Sequence, residues 1–256
     1  MGRKSFPGGA VLAPVPPVLV TVSDGEKTNV LTVGWCGILA TVPPRTYVSV
    51  RPSRYSYEIL KRGGEFVINL ATASMAREVD YIGIYTGKKV DKFKKCNLTL
   101  TKSEKVTPPT IVECPIAIEC RVTEVIPMGS HDVFLADIVG FTADERIIDE
   151  GGRLDFAKAD LLAYSHGEYF SLGEKLGSFG FSTKKRDADE GSKNSALASA
   201  NSAEKATVKS TEGGAKAAKA SPENGKKSGT KNVPLKDESE RKPFYEDFIK
   251  RGKKRR

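Results

Sequence analysis

Pro17-Val18-Leu19-Val20-Thr21-Val22-Ser23 is a β-branched run that stops at Asp24-Gly25, and Asn29-Val30-Leu31-Thr32-Val33-Gly34-Trp35 follows at hairpin distance. β-Branched side chains fit the pleated surface of a sheet, and Asp-Gly between two such runs is a turn signal. The stretch therefore reads as two antiparallel strands. Further period-two runs cover residues 46–51, which end at Pro52, and residues 65–70, 116–125 and 132–140. Helices are few and short. Ser53 is placed to cap a turn through residues 55–62 that Gly63-Gly64 ends, and Ser74 to cap a second over 75–82 that Gly83 stops. Six strands with two short helices predict a mainly β protein, an antiparallel barrel that closes to remove exposed sheet edges.

The chain of 256 residues is long enough for a sizeable core, and its charge divides it. Residues 1–183 carry 21 Lys and Arg against 21 Asp and Glu, whereas residues 184–256 carry 20 against 11, so the whole net charge of +9 lies in the tail. From Ser182 to about Pro234 the aliphatic residues larger than Ala are Leu197, Val208 and Val233. Such a stretch buries too little apolar surface to offset the entropy of ordering its backbone. The expected organisation is a folded domain over 1–183 and a disordered, basic C-terminal tail over 184–256. Aromatic residues return only in residues 243–249, as a short docking helix or an exposed end.

No apolar run reaches the ~20 residues a membrane-spanning helix needs. Pro7, Pro14, Pro16 and Pro17 interrupt any secretory h-region. Cys36, Cys96, Cys114 and Cys120 form no C-x-x-C pair, and the histidines are His131 and His166 alone. A disulfide framework or metal site has little to build on, so reduced thiols, a cytoplasmic location, no metal and no membrane are expected. Three enzyme signatures fail. There is no G-x-G-x-x-G between a strand and a helix, and no G-x-S-x-G. Gly83-Ile84-Tyr85-Thr86-Gly87-Lys88-Lys89 resembles a nucleotide phosphate loop but is one residue short and lacks the Ser/Thr after the Lys.

What remains is a joint pattern. Pro16-Pro17-Val18-Leu19-Val20-Thr21-Val22 leads to Asn29-Val30-Leu31-Thr32-Val33-Gly34-Trp35-Cys36-Gly37, and Pro43-Pro44 precedes Tyr47-Val48-Ser49-Val50-Arg51-Pro52-Ser53-Arg54-Tyr55-Ser56. Gly64-Glu65-Phe66-Val67-Ile68-Asn69-Leu70, Val90-Asp91-Lys92-Phe93, Glu119-Cys120, His131-Asp132 and Tyr169-Phe170-Ser171-Leu172-Gly173 follow in order. Over roughly residues 7–180 this resembles the flavin reductase-like family, most closely its flavoredoxin group. The resemblance implies an FMN-binding split barrel working as a homodimer, with FMN held non-covalently near the subunit interface. It places Asn29, Trp35, Ser56, Lys92, His131 and Tyr164 where the family contacts flavin, with Ser56 standing for a common Thr and Tyr164 for a common Phe. With Thr32, Ser49, Arg51, Ser53 and Arg54 these form the expected cofactor-binding set, and Lys92 and His131 are the expected catalytic pair. The tail has no counterpart in the pattern.

The residues also make chemical sense individually, each beside a plainer alternative. Ser49 to Ser56 put two guanidinium groups, hydroxyls and a helix start at one strand end, which suits a phosphate. The same residues also read as an exposed basic turn. Trp35, the sole Trp, can cover a flat ring or fill a core. Asn29 can bond a polar ring edge or simply end a turn. A cationic Lys92 near a flavin would stabilise its reduced, anionic form, or Lys92 is a surface residue paired with Asp91. His131 can donate to the flavin or manage a proton, or it is only a loop residue.

The expected function is passage of electrons from NAD(P)H or a redox partner through bound FMN to an acceptor, another flavin or a redox protein. Three rivals stand beside it. One is a pure electron carrier without NAD(P)H activity, and another is an inactive scaffold binding another cofactor such as a tetrapyrrole. The third is a non-enzymatic barrel module whose basic tail makes weak, salt-dependent contact with polyanions or nucleic acid.

Overall fold

Alternation along the first strands sorts side chains into two cores. The computed structural model describes residues 2–183. In it β1 (Val18–Ser23) is buried along its whole length. Val18, Val20 and Val22 face one cluster with Phe66, Leu60 and Phe134, whereas Leu19 faces a second with Val79, Ile82 and Ile111. A strand covered on both faces has no polar side to show, which is why residues 18–22 read as an apolar run. The tail expected to be disordered, residues 184–256, and its aromatic segment 243–249 lie outside the described residues.

In chain order the remaining elements are β2 (Thr28–Val33), β3 (Cys36–Thr41), β4 (Pro44–Val50), α1 (Tyr55–Gly63), β5 (Glu65–Leu70), α2 (Ala76–Ile84) and α3 (Lys92–Lys95). Then come β6 (Leu100–Thr101), β7 (Thr110–Ile111), β8 (Ile116–Pro127), β9 (Asp132–Ala143), β10 (Leu162–Ser165) and β11 (Glu168–Ser171). Seven strands form one antiparallel sheet in the order β2-β1-β5-β8-β9-β4-β3. Its two edges, β2 and β3, are neighbours in the chain, separated only by Gly34 and Trp35. One bent strand thus pairs first with β1 and then with β4, and the sheet closes into the expected antiparallel barrel. Ser49 N donates to Trp35 O at 2.8 Å across the bend.

All six strands read from the sequence are present. β3 was not expected, because Cys36–Thr41 is half exposed and lacks alternation. The short α3 and the β10–β11 hairpin were also not expected as elements. Three local expectations are corrected. Ser53 does not cap α1: Arg54 holds the N-cap position without a side-chain cap, its own N–H donating to Arg51 O at 3.0 Å in the preceding turn. Ser74 does not cap α2: it lies in a 3₁₀ turn, its hydroxyl 2.8 Å from that of Thr72, and the helix starts at Ala76. Gly83 does not stop α2, which runs on to Ile84. It lies against β2, where a Cβ would meet Thr32 Cβ at 3.4 Å. Among the described residues no helix is long and apolar enough to cross a membrane.

Gly63-Gly64 does end α1, and for two separate reasons. Gly64 takes φ +68°, and a Cβ on Gly63 would fall 2.0 Å from the Ser23 carbonyl oxygen. The helix end is therefore pressed on the β1–β2 turn. Gly63→Ala is expected to cost about 1–3 kcal/mol through overpacking. It would appear as a lower urea midpoint at unchanged slope, and an unchanged midpoint would show that this contact yields freely.

Candidate functional site: a cationic cleft at the strand bend

Beside the β2–β3 bend two pockets adjoin. The larger, about 390 Å³, is walled by Pro17, Trp35, Ser49, His131, Tyr164 and Tyr169, among others. The smaller, about 210 Å³, is walled by Asn29, Ser53, Ser56, Tyr85, Thr86 and Lys92, among others. Leu31, Thr32, Arg51, Arg54 and Gly83 line both, so the two are compartments of one cleft. All eleven residues of the expected cofactor-binding set border it. Trp35, Ser49, His131 and Tyr164 are in the larger compartment, Asn29, Ser53, Ser56 and Lys92 in the smaller, and Thr32, Arg51 and Arg54 in both.

The scaffold explains the convergence. Asn29, Thr32 and Trp35 follow one another along β2 into the bend. Ser49 and Arg51 leave the adjacent end of β4, and α1 begins at Tyr55 with Ser56 buried in its first turn. The β8–β9 hairpin brings up His131, and Asp132 beside it accepts from the Tyr57 hydroxyl at 2.5 Å, tying that hairpin to α1. Tyr164 is held by paired backbone bonds to Val15, both 2.9 Å. Sequence reasoning left out Tyr169, Tyr85, Thr86 and Gly83. Tyr169 faces Tyr164 across the β10–β11 hairpin, with ring centroids 5.3 Å apart. The His166-Gly167 turn, both residues at positive φ, was the signal that could have found it.

Lys92 is 4% exposed, and its Nζ donates to Val30 O at 2.9 Å and Ile82 O at 2.8 Å. The alternative of a surface pair with Asp91 does not hold. Asp91 instead caps α3 by accepting from Lys94 N at 3.1 Å. Burial, reinforced by the nearby Arg54 charge, lowers the Lys92 pKa to about 8. Arg54 Nη1 donates to Gly83 O at 3.0 Å, and Asn29 Nδ2 to Ser56 Oγ at 2.7 Å. The Thr32 hydroxyl donates to Val79 O at 2.5 Å. Trp35 keeps 38% of its surface exposed, so it walls the cleft rather than filling the core.

No Asp or Glu lines either compartment. Among the described residues none of Arg51, Arg54 and Lys92 forms an ion pair with a carboxylate. Three cations without a counter-charge, one of them buried, face an aromatic-walled pocket. That arrangement is costly alone and favours an anion with a flat apolar body.

The comparisons with known proteins agree in one direction. Residues 12–173 match the model of the flavin reductase like domain. The chain belongs to the flavin reductase-like family. Flavoredoxin of Desulfovibrio vulgaris (Miyazaki F) superposes with a TM-score of 0.67 at 30% identity, over 72% of this chain and 100% of that one. Flavoredoxin from Methanosarcina acetivorans gives 0.65 at 27%, over 72% and 98%. An uncharacterized protein of Archaeoglobus fulgidus is 34% identical over 150 residues, 59% of this chain and 84% of its own. The split barrel is thus the fold of this flavin reductase-like protein.

Both ring nitrogens of His131 are engaged within the cleft wall. Arg51 Nε, which can only donate, lies 3.3 Å from Nε2, and Ser130 Oγ lies 2.9 Å from Nδ1. The proton of the neutral ring therefore sits on Nδ1. Burial first, and then the Arg51 and Arg54 charges, lower its pKa. The chain has only two histidines, so imidazole NMR resolves the prediction. His131 is expected to titrate below the ordinary value of about 6.5 as the Nδ1–H tautomer. In Arg51→Ala its pKa is expected to rise, and an unmoved titration would remove Arg51 as its partner.

Proposed function

We propose that the cleft binds FMN non-covalently and that this chain is an FMN-dependent oxidoreductase. It would pass electrons from NAD(P)H or a redox protein through the flavin to an acceptor. The observation that carries the reading is the carboxylate-free cleft with three unpaired cations beside an aromatic compartment. FMN has the matching chemistry, a phosphate dianion joined by a hydroxylated chain to a flat amphipathic ring. Arg51, Arg54, Ser53, Ser56 and Lys92 would take the phosphate end. Trp35, Tyr164, Tyr169 and Pro17 would wall the ring. When bound, the cofactor supplies hydride acceptance and electron transfer, and the chain supplies orientation and charge. Lys92 contributes a buried positive charge, and His131 orients the Arg51 guanidinium by accepting from its Nε.

A homodimer fits the same reading. Ile38, Leu39 and Val42 are exposed on and just after β3, Val42 at 91%, next to an apolar hollow of about 240 Å³ reached by Pro16, Cys36 and Leu161. Such an edge is a surface that a second copy would cover. Light scattering on the full chain is expected to give twice the monomer mass, and a monomer at micromolar concentration would remove the dimer from the reading.

The decisive experiment is an anaerobic visible spectrum of the full chain with FMN added, before and after NADH or NADPH. A bound-flavin spectrum bleached quickly by one nucleotide is expected. A bound flavin bleached only by a chemical reductant would leave an electron carrier, and no flavin binding would overturn the proposal. The pH dependence has a definite sign. Lys92 is protonated below about 8, and an anion binds the protonated form better, so FMN affinity is expected to fall as the pH rises through about 8. Lys92→Met is expected to weaken FMN roughly ten- to a hundredfold at pH 7 and to flatten that fall.

A further inference from the structure

The stretch Gly83-Ile84-Tyr85-Thr86-Gly87-Lys88-Lys89 lacks the spacing of a phosphate loop, yet its lysines converge on a pocket. After α2 the chain turns on Thr86, whose carbonyl accepts from Lys89 N at 3.1 Å and Val90 N at 3.3 Å. Gly87 is pressed against the Asn29 amide, where a Cβ would lie 2.3 Å from Oδ1, so the loop is pinned to β2. It has two working sides. Thr86 lines the smaller compartment of the cleft, whereas Lys88 and Lys89 line a third pocket of about 440 Å³. Lys27 joins them from the β1–β2 turn, and Tyr55, Phe93 and Leu100 supply apolar surface. Asn29, Tyr55 and Lys92 line both this pocket and the smaller compartment, so the two adjoin.

Charge sets this pocket apart. Its one carboxylate, Asp91, is engaged in capping α3 and lies 3.7 Å from Lys94 Nζ. Among the described residues Lys27, Lys88 and Lys89 form no ion pair. Three exposed ammonium groups around one concavity repel one another, and no fold contact needs them there. An ammonium on a flexible stem is a point charge suited to phosphate, and the volume lies within the roughly 300–1,000 Å³ of small-molecule sites.

We propose that this lysine-lined pocket is a second anion subsite that receives the adenosine-phosphate part of a dinucleotide. The inference rests on the FMN reading of the adjoining cleft. The adenosine phosphate has two possible sources, the AMP half of FAD bound in place of FMN, or the 2′-phosphate end of NADPH.

The test compares the full chain with a Lys27→Ala/Lys88→Ala/Lys89→Ala variant, which leaves the tail and the cleft residues unchanged. FMN and FAD are titrated into the flavin-free protein, and 2′,5′-ADP and ADP into the FMN-loaded protein. If FAD is the source, FAD binds at least as tightly as FMN and the variant weakens it about tenfold while FMN moves less than about twofold. If NADPH is the source, 2′,5′-ADP binds the FMN-loaded protein more tightly than ADP and the variant weakens it about tenfold. FMN binding with no variant-sensitive FAD or 2′,5′-ADP affinity would overturn this proposal alone. Failure of FMN to bind the unmodified chain would instead overturn the reading it rests on.

Discussion

The fold and the cleft depend on one local event, the change of partner at Gly34-Trp35. Before it the strand pairs with β1, and after it with β4, so a single stretch of chain joins both edges of a seven-stranded sheet. A barrel closed in this way has its seam at the bend, where the ladder on one side has ended and that on the other has just begun. Side chains at a seam are not committed to the interior, which is how Thr32, Trp35 and Ser49 come to wall an open cleft. The Ser49–Trp35 backbone bond holds the seam together at the cleft wall. Closure and site therefore share a cause.

The buried ammonium of Lys92 is the most demanding group in that cleft. Two backbone carbonyls accept from it, one from each of two packed elements, Val30 on β2 and Ile82 on α2. The lysine thereby ties helix to strand while keeping a positive charge at the cleft wall. Two carbonyl dipoles take two of its three N–H donors without neutralising it, and Arg54 nearby raises the cost further. An apolar side chain of the same length would leave both carbonyls without that donor, so the lysine has a structural role beside the charge it places at the cleft wall.

Much of the barrel was legible in the sequence because period two and turn chemistry are local. The Asp24-Gly25 turn, the six strands and the Gly63-Gly64 stop all follow from neighbours in the chain. β3 escaped because its pattern is set by tertiary surroundings: it is an edge whose apolar residues Ile38 and Leu39 face outward. The caps failed for a related reason. Ser53 and Ser74 sit in turns whose backbone groups already find partners, so each helix begins one residue later than its serine as N-cap would set it. The candidate site was legible as a list of residues but not as two compartments. That Lys92 faces inward, away from the adjacent Asp91, is decided by α3, too short to announce itself in sequence.

Charge shows most clearly what composition conceals. Residues 1–183 are neutral in sum, a total that gives no sign of a cationic cleft. The structure resolves the conflict by partition. Acidic residues are drawn to other arginines: Asp24 to Arg62 at 2.7 Å, Asp137 to Arg45 at 2.9 Å, Glu65 to Arg121 at 3.2 Å and Asp149 to Arg153 at 2.9 Å, with Asp144 bonded to Arg146. Each such pair contributes little stability by itself. Together they keep carboxylates away from Arg51, Arg54 and Lys92, leaving a local positive field in a globally neutral domain. A cleft concentrates such a field because its low-dielectric walls screen it less than open water does. Placement of charge, more than its total, therefore makes the cleft of this barrel locally cationic.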